Sequence, residues 1–257
     1  MTIPTMLIVA HPDDETLGGA HLLLRQPSST FILHTTNGAP AESRFWQQAG
    51  VETREAYAAA RQQELHAALA VFGITSTQQQ TLPFGDRDLP RNLVSLTQAI
   101  LRILRQHKPA AIYTHPFEGG HPDHDATAYA VHRAVASWAA SSATASELRE
   151  FSGYHAREGE FFSGAFLDDA PAERVDLSDE ECTRKRLALD CHQSQQRVIQ
   201  RFALSPQLWR RAPSYDFTKR PQQTPLYYEI REMGYTFADF ANYVRLADHE
   251  LPAVPNI

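Results

Sequence analysis

The chain has 257 residues, 42% of them hydrophobic and 21% charged, a balance that excludes a disordered polymer and permits one buried core of ordinary density. Its formal net charge of -6 argues against nucleic acid or an anionic membrane surface as the main partner, because both select a basic face. No apolar run approaches the ~20 residues needed to cross a bilayer, and the run at 6–10 is too short for a signal peptide, so neither membrane insertion nor secretion is expected.

Only two cysteines occur, Cys182 and Cys191. On a shared helix their spacing at ~100° per residue puts them on opposite faces, so no internal disulfide is expected, in keeping with a cytoplasmic location. A homo-oligomer is compatible with this composition.

In chain order, residues 5–10 form a continuous apolar run of strand length, as in a central parallel strand covered on both faces. The run breaks into His11-Pro12-Asp13-Asp14-Glu15, where proline and clustered acids suit the start of a helix that continues over 17–24. Residues 31–35 predict a second strand, ended by Asn37-Gly38. Residues 52–72 have helical spacing and stop at Gly73. A short third strand over 77–83 leads to Phe84-Gly85-Asp86, and 93–104 is an amphipathic helix. Residues 109–114 predict another buried strand, broken at His115-Pro116, and after Glu118-Gly119-Gly120 a further helix spans 122–138.

Strand alternating with helix in this rhythm implies right-handed parallel crossovers: an α/β, Rossmann-like, mostly parallel sheet with helices on both faces. The Ala, Ser and Thr of 139–147 predict an exposed connection. We therefore read 1–257 as a single α/β domain, with a core over 1–138 and a loop-rich C-terminal elaboration over 139–257 that completes the fold and shapes the substrate pocket. Within the elaboration, 161–167 reads as a strand and Ser178-Asp179-Glu180-Glu181 as a capping box before a helix to about Phe202. Prolines at 206, 213, 221 and 225 among Trp209, Tyr215, Phe217, Tyr227 and Tyr228 predict an aromatic, loop-rich end.

Two segments share one grammar, a buried strand followed by His-Pro-Asp and a helix: Ala10-His11-Pro12-Asp13-Asp14-Glu15 and Gly120-His121-Pro122-Asp123-His124-Asp125. Loops after parallel strands lie along one sheet edge, so two such loops can converge. His11 and Asp14 are three positions apart and can face one ion, and His124 completes two nitrogens and one oxygen with a place left for water, the arrangement of catalytic rather than structural zinc. The same donors also suit Fe(II). Asp13 diverges from Asp14 and is the candidate base for water activated at neutral pH. His121 is the candidate for stabilising the oxyanion or protonating the leaving group, and Asp123 or Asp125 for orienting a histidine from behind. Either motif alone is more often a capped helix start; their joint occurrence reverses that preference. His115 reads as a strand-end residue, and His21, His34, His66, His107 and His132 have no second partner at ligand spacing. Gly18-Gly19 lacks the spacing of a dinucleotide fingerprint.

The paired motifs, with Thr16-Leu17-Gly18-Gly19 after the first and Gly119-Gly120 before the second, resemble the PIG-L (LmbE-like) de-N-acetylases. Further matches lie at Thr36-Asn37-Gly38, Arg61-Gln62-Gln63-Glu64 and Tyr113-Thr114-His115-Pro116, with a weak one at His192-Gln193-Ser194-Gln195. The resemblance implies zinc-dependent removal of an N-acetyl group, usually from an N-acetylglucosaminyl unit. It assigns His11, Asp14 and His124 to the metal, Asp13 to base catalysis and His121 to the electrophile or acid. By the same analogy Arg61 and Asp86 contact sugar hydroxyls; read alone, Arg61 would be an exposed helix charge and Asp86 a turn residue. Members acting in mycothiol synthesis carry a tyrosine just before the second motif, where this chain has Glu118-Gly119-Gly120, so Tyr227 or Tyr228 would have to replace it. The expectation is thus a zinc hydrolase acting on a small-molecule N-acetyl amino sugar or glycoconjugate. A metal-dependent amidase or esterase on another substrate is the rival enzyme, and a non-catalytic sugar-binding protein the rival from another class.

Overall fold

Thr5–Val9 (β1) is buried along its whole length and pairs in parallel with a strand on each side, which is why its sequence shows no polar alternation. The structure, a computed structural model, describes residues 4–142, 146–168 and 170–253. After β1 come α1 (Asp14–Arg25), β2 (Thr30–Pro40), α2 (Ser43–Gln48), α3 (Arg54–Val71), β3 (Gln79–Asp86), α4 (Leu93–His107), β4 (Ala111–Thr114) and α5 (Pro122–Ser141). The second half holds β5 (Glu147–Phe151), β6 (Tyr154–Arg157), β7 (Glu160–Ser163), β8 (Glu173–Val175), α6 (Asp179–Cys191), α7 (Gln196–Ile199), β9 (Gln207–Arg211), α8 (Tyr227–Ile230) and α9 (Phe237–Glu250).

A seven-stranded sheet runs in the order β3-β2-β1-β4-β5-β9-β8. The five strands from β3 to β5 are parallel, and β9 runs against both β5 and β8. The sheet therefore continues from the core across residue 138 into the C-terminal part. β6 and β7 form a separate hairpin. Because the chain winds to one side of β1 through β2 and β3 and to the other through β4 and β5, a crevice opens at the carboxyl edge where the winding reverses.

Both faces of the sheet are covered. Met6, Ile8, Phe31 and Leu33 pack with α4, α5 and α9, while Leu7, Val9 and Ile32 pack with α1, α3 and Ala188 of α6. Gly18 and Gly19 serve this packing: a Cβ on Gly18 would come within 2.0 Å of the Phe151 ring, and one on Gly19 within 2.5 Å of Leu7. The pair lets α1 press onto the sheet and start at the crevice.

Several elements differ from the sequence expectation for identifiable reasons. Ser76–Gln78 form a 3-10 turn, and β3 runs on through Phe84 and Gly85 to Asp86. The strand expected over 161–167 ends at Ser163, before Gly164 at φ +83. The helix expected from Ser178 begins with the foreseen capping box but stops at Cys191, because His192 leaves helical geometry and turns a fully buried ring inward. In the aromatic C-terminal segment a 14-residue helix, α9, is capped by Thr236 and Asp239 and buries Phe237, Phe240 and Val244. The connection expected over 139–147 is shorter, since α5 reaches Ser141 and β5 starts at Glu147; residues 143–145 lie outside the described residues. Among the described residues no helix is long and apolar enough to cross a membrane, and both cysteines are free.

Candidate active site

Both His-Pro-Asp loops leave neighbouring strands at the carboxyl edge, the first after β1 and the second after β4. They bring His11, Asp14 and His124 together. His11 Nδ1 and His124 Nε2 are 3.3 Å apart, and the Asp14 carboxylate lies 3.3 Å from each, through Oδ2 to His11 and Oδ1 to His124. Two ligand atoms ~2.0–2.1 Å from one ion at a tetrahedral angle would be about 3.3–3.4 Å apart; the two imidazole nitrogens have that spacing, and each has a different Asp14 oxygen at the same distance, so the three residues are close enough to share an ion. Two imidazole nitrogens facing each other and a carboxylate is also the donor chemistry that such an ion demands. The three residues are 6–7% exposed, buried but reachable from one side.

Second contacts fix this triangle. The His11 backbone N–H donates to Asp14 Oδ2 at 2.7 Å. Across the ring, His11 Nε2 faces Asp123 Oδ2 at 3.2 Å, so a proton given to Asp123 leaves the Nδ1 lone pair free for a metal. Asp123 is fully buried and also accepts the backbone N–H groups of Arg87 and Leu89. Asp125 instead accepts the N–H groups of Glu118 and Gly119, which shapes the second loop and not the metal triangle.

Asp13 precedes α1 with φ 139° and ψ -29°, backbone that a side-chain-bearing residue adopts only under constraint. The constraint is visible on both sides. Its N–H donates to Glu15 Oε2 at 2.9 Å, and Glu15 is held in turn by His34 at 3.0 Å and the Thr16 hydroxyl at 2.6 Å. Its Oδ2 accepts from Arg61 Nη2 at 3.0 Å. Asp13 therefore makes no side-chain cap on α1; its carboxylate is held by Arg61 instead.

The reading of Arg61 as an exposed helix charge is corrected by its burial. The side chain is buried, 3% exposed, and its two terminal nitrogens are engaged with Pro12 O at 2.5 Å, Gly38 O at 2.9 Å and Asp13. It is not an exposed charge; it is bonded to Asp13 and to the backbone on either side of it. Gly38, at φ +70, makes room for it, since a Cβ there would lie 2.8 Å from the guanidinium. Asp86 is no turn residue either: it ends β3, with Oδ1 3.3 Å from His11 Nε2 and 3.5 Å from His121 Nε2. His121 caps α5, its Nδ1 accepting the Asp123 N–H at 3.2 Å, and Nε2 is therefore the nitrogen that carries the proton in the neutral ring.

Burial and charge act against one another here. Burial pushes the Asp13 carboxyl up to about 8, although Arg61 pulls the other way. For Asp14 burial is outweighed by His124 and His115, which hold the carboxylate well below its ordinary range. Burial, then the neighbouring His11, keeps the His121 imidazole well below its usual value and hence neutral.

Three groups escaped the sequence reading. His115 is 1% exposed and enters the cluster: its Nε2 accepts the Ala10 N–H at 2.9 Å, lies 3.4 Å from Asp14, and its ring stacks on His124 at 3.9 Å. The position just after a strand that ends beside β1 was the available signal. Glu15 with His34 forms the buried support behind Asp13; the sequence alone marks Glu15 only as an acid of a helix start and His34 only as part of a strand. Tyr154, after β5, sets its ring edge-on to His124 at 5.4 Å, while Tyr228 is buried in the core and Tyr227 reaches the crevice only through Tyr154. The tyrosine beside the second motif thus comes from β6.

A cleft lined by Gly18, Phe151, Tyr154, Phe202 and Leu208 opens beside Asp14 and His124. A roomier cavity of about 430 Å³ lies beside β6 and β7, lined by His155, Phe166 and Asp168, and touches none of the triangle. Chemistry therefore places the candidate site in the narrower cleft.

Comparison with solved structures shows the same fold in a teicoplanin deacetylase bound to teicoplanin (18% identity, TM-score 0.63, covering 83% of this chain and 100% of that one). It also appears in the N,N'-diacetylchitobiose deacetylase of Pyrococcus horikoshii (19%, TM-score 0.55, 75% and 70%) and in the 4-carboxy-2-hydroxymuconate hydratase of Pseudomonas putida (16%, TM-score 0.54, 77% and 82%). No curated protein matches the chain. Residues 6–135, the span that carries both His-Pro-Asp loops, match the family described as PIG-L: GlcNAc-PI de-N-acetylase. The chain belongs to the PIG-L family and is an enzyme of the deacetylase class.

Proposed function

We propose that the protein removes the acetyl group from an N-acetylglucosamine-type amino sugar or its conjugate, with a divalent metal held by His11, Asp14 and His124. The observation that carries this reading is the convergence of His11, Asp14 and His124 within 3.3 Å of one another, with the buried Asp13 next to Asp14 in the chain and held by Arg61. Zinc suits two imidazoles and a carboxylate, and Fe(II) suits them as well. A divalent ion bound there supplies Lewis-acid polarisation of the amide carbonyl.

The chain's own groups do the rest. Asp13 takes a proton from the attacking water on the oxygen that Arg61 leaves open, and returns it to the departing amine nitrogen as the C–N bond breaks, giving acetate and a free amine. His121 acts as a neutral hydrogen-bond donor, its Nε2–H directed at the developing oxyanion, which its lowered pKa favours over a role as acid. Asp123 orients His11, and Arg61 and Glu15 orient Asp13. A sugar substrate is supported by the chitobiose deacetylase among the structural neighbours.

The test is free-amine release from N-acetylglucosaminides by zinc-loaded protein. Asp13→Asn is expected to lower kcat by about 10²–10⁴-fold with metal content unchanged; full activity in that variant overturns the reading. Because a hydratase shares the fold, an ester panel and an enol-hydration assay are the counter-screen. Activity there without amine release assigns the same site to different chemistry.

A further inference from the structure

We propose that the crevice continues into an aromatic shelf that takes an apolar aglycone, making this a deacetylase selective for N-acetylglucosaminides with an aromatic or aliphatic group at the anomeric position. The inference rests on the function proposed above and concerns the same cleft.

The shelf is built from Tyr154 on β6, Phe161 on β7, Phe202 after α7 and Tyr227 at the start of α8. Their rings form one contiguous group. Tyr154 stacks on Phe161 at 5.1 Å and meets Phe202 and Tyr227 edge-on at 5.8 and 5.6 Å, and Phe161 meets Phe202 at 5.3 Å. Edge-to-face and offset packing at these distances is favourable by itself, so the group is preformed and not a collapse of loose side chains. Arg201 braces the outer end, its guanidinium 3.8 Å above the Phe161 ring and its Nη1 donating to the Tyr227 hydroxyl at 2.8 Å.

Location gives the shelf its meaning. The Tyr154 ring is one ring away from His124, and Tyr154 and Phe202 line the cleft together with Asp14 and His124. Gly120 makes this approach possible, because a Cβ at that position would lie 2.0 Å from the Tyr154 carbonyl oxygen. Tyr154, Phe161 and Phe202 remain only half-buried, whereas a cluster serving the core alone would be covered like the neighbouring Phe166. With the acetamide at the metal triangle, the pyranose lies along Tyr154 and whatever it carries falls on Phe161 and Phe202. Apolar surface placed there leaves water, and the cation beside it, Arg201, is already engaged on Phe161 and Tyr227, which favours an apolar group over a polar one.

The experiment compares methyl and phenyl N-acetyl-β-glucosaminides as substrates, and the corresponding free-amine products as ligands in calorimetry, using zinc-loaded protein. The phenyl compound is expected to exceed the methyl one by about tenfold in kcat/KM, and its product to bind correspondingly more tightly. Phe161→Ser is expected to bring both ratios toward unity, and Phe161→Tyr to keep them. Equal turnover and equal binding of the two aglycones, or ratios unmoved by Phe161→Ser in a folded variant, overturn the shelf while leaving the deacetylase reading intact. Should neither compound release amine, the deacetylase reading falls, and the calorimetric ratio still decides whether the shelf recognises an apolar group.

Discussion

Arg61 and Lys185 show how a buried cation is used once its partners are known. Arg61 places a planar fork on two carbonyls and on Asp13, a geometry that a lysine's single ammonium cannot reproduce. Arg61→Lys should therefore lower kcat by about tenfold or more while leaving KM nearly unchanged, since Arg61 holds Asp13, the proposed base. Steady-state kinetics separates the two; a raised KM at constant kcat would restore the sugar-contact role. Lys185 is 1% exposed and donates to Leu17 O and Leu204 O, two acceptors that match the two protons of a neutral amine. Burial lowers this amine to about 7. Above pH 7 the unfolded chain keeps a proton there that the folded one releases, so stability rises with pH until the ordinary lysine value near ~10.5. Between pH 7 and 9 the gain is up to about 3 kcal/mol. Denaturant midpoints at the two pH values, in wild type and Lys185→Met, check it: the variant should lose that part of the slope.

At the level of elements, what was legible follows from what periodicity records. β1, α3, α4, β4 and α5 were read at nearly their observed positions because each buries one continuous face in the first half. His11, Asp13, Asp14, His121 and His124 could be placed at one edge because parallel strands send their following loops to the same side. The later strands were missed for a physical reason. β5, β8 and β9 are three to five residues long, and β5 and β9 mix charged side chains with aromatics because Glu150 and Arg210 are buried as a pair, so alternation is masked. The roles of His115 and Tyr154 depend on which strands adjoin, which no local spacing encodes. α1 offers a direct check of packing against the sheet. Gly18→Val drives two methyl groups into the Phe151 ring and should cost about 1–3 kcal/mol or more, visible as a lowered melting temperature.

On the scale of the molecule, the triangle of His11, Asp14 and His124 joins two loops more than a hundred residues apart in sequence, so an ion bound there braces the two halves of the crevice. Chelation should lower the melting temperature without unfolding the protein, because the hydrophobic layers on both faces do not depend on the metal. At a thousandfold excess over Kd, zinc adds about 4 kcal/mol. Calorimetry with and without chelator tests this, and an unchanged transition would argue against a tight site. The placement of β9 has a further consequence for biosynthesis. When β5 emerges from the ribosome it docks on β4, yet its outer edge stays open until the chain has passed through α6 and α7 and delivered β9. During that interval the nascent polypeptide shows an unpaired strand edge of the kind that recruits other chains, so slow translation or truncation between α7 and β9 should yield aggregates before it yields a shortened enzyme.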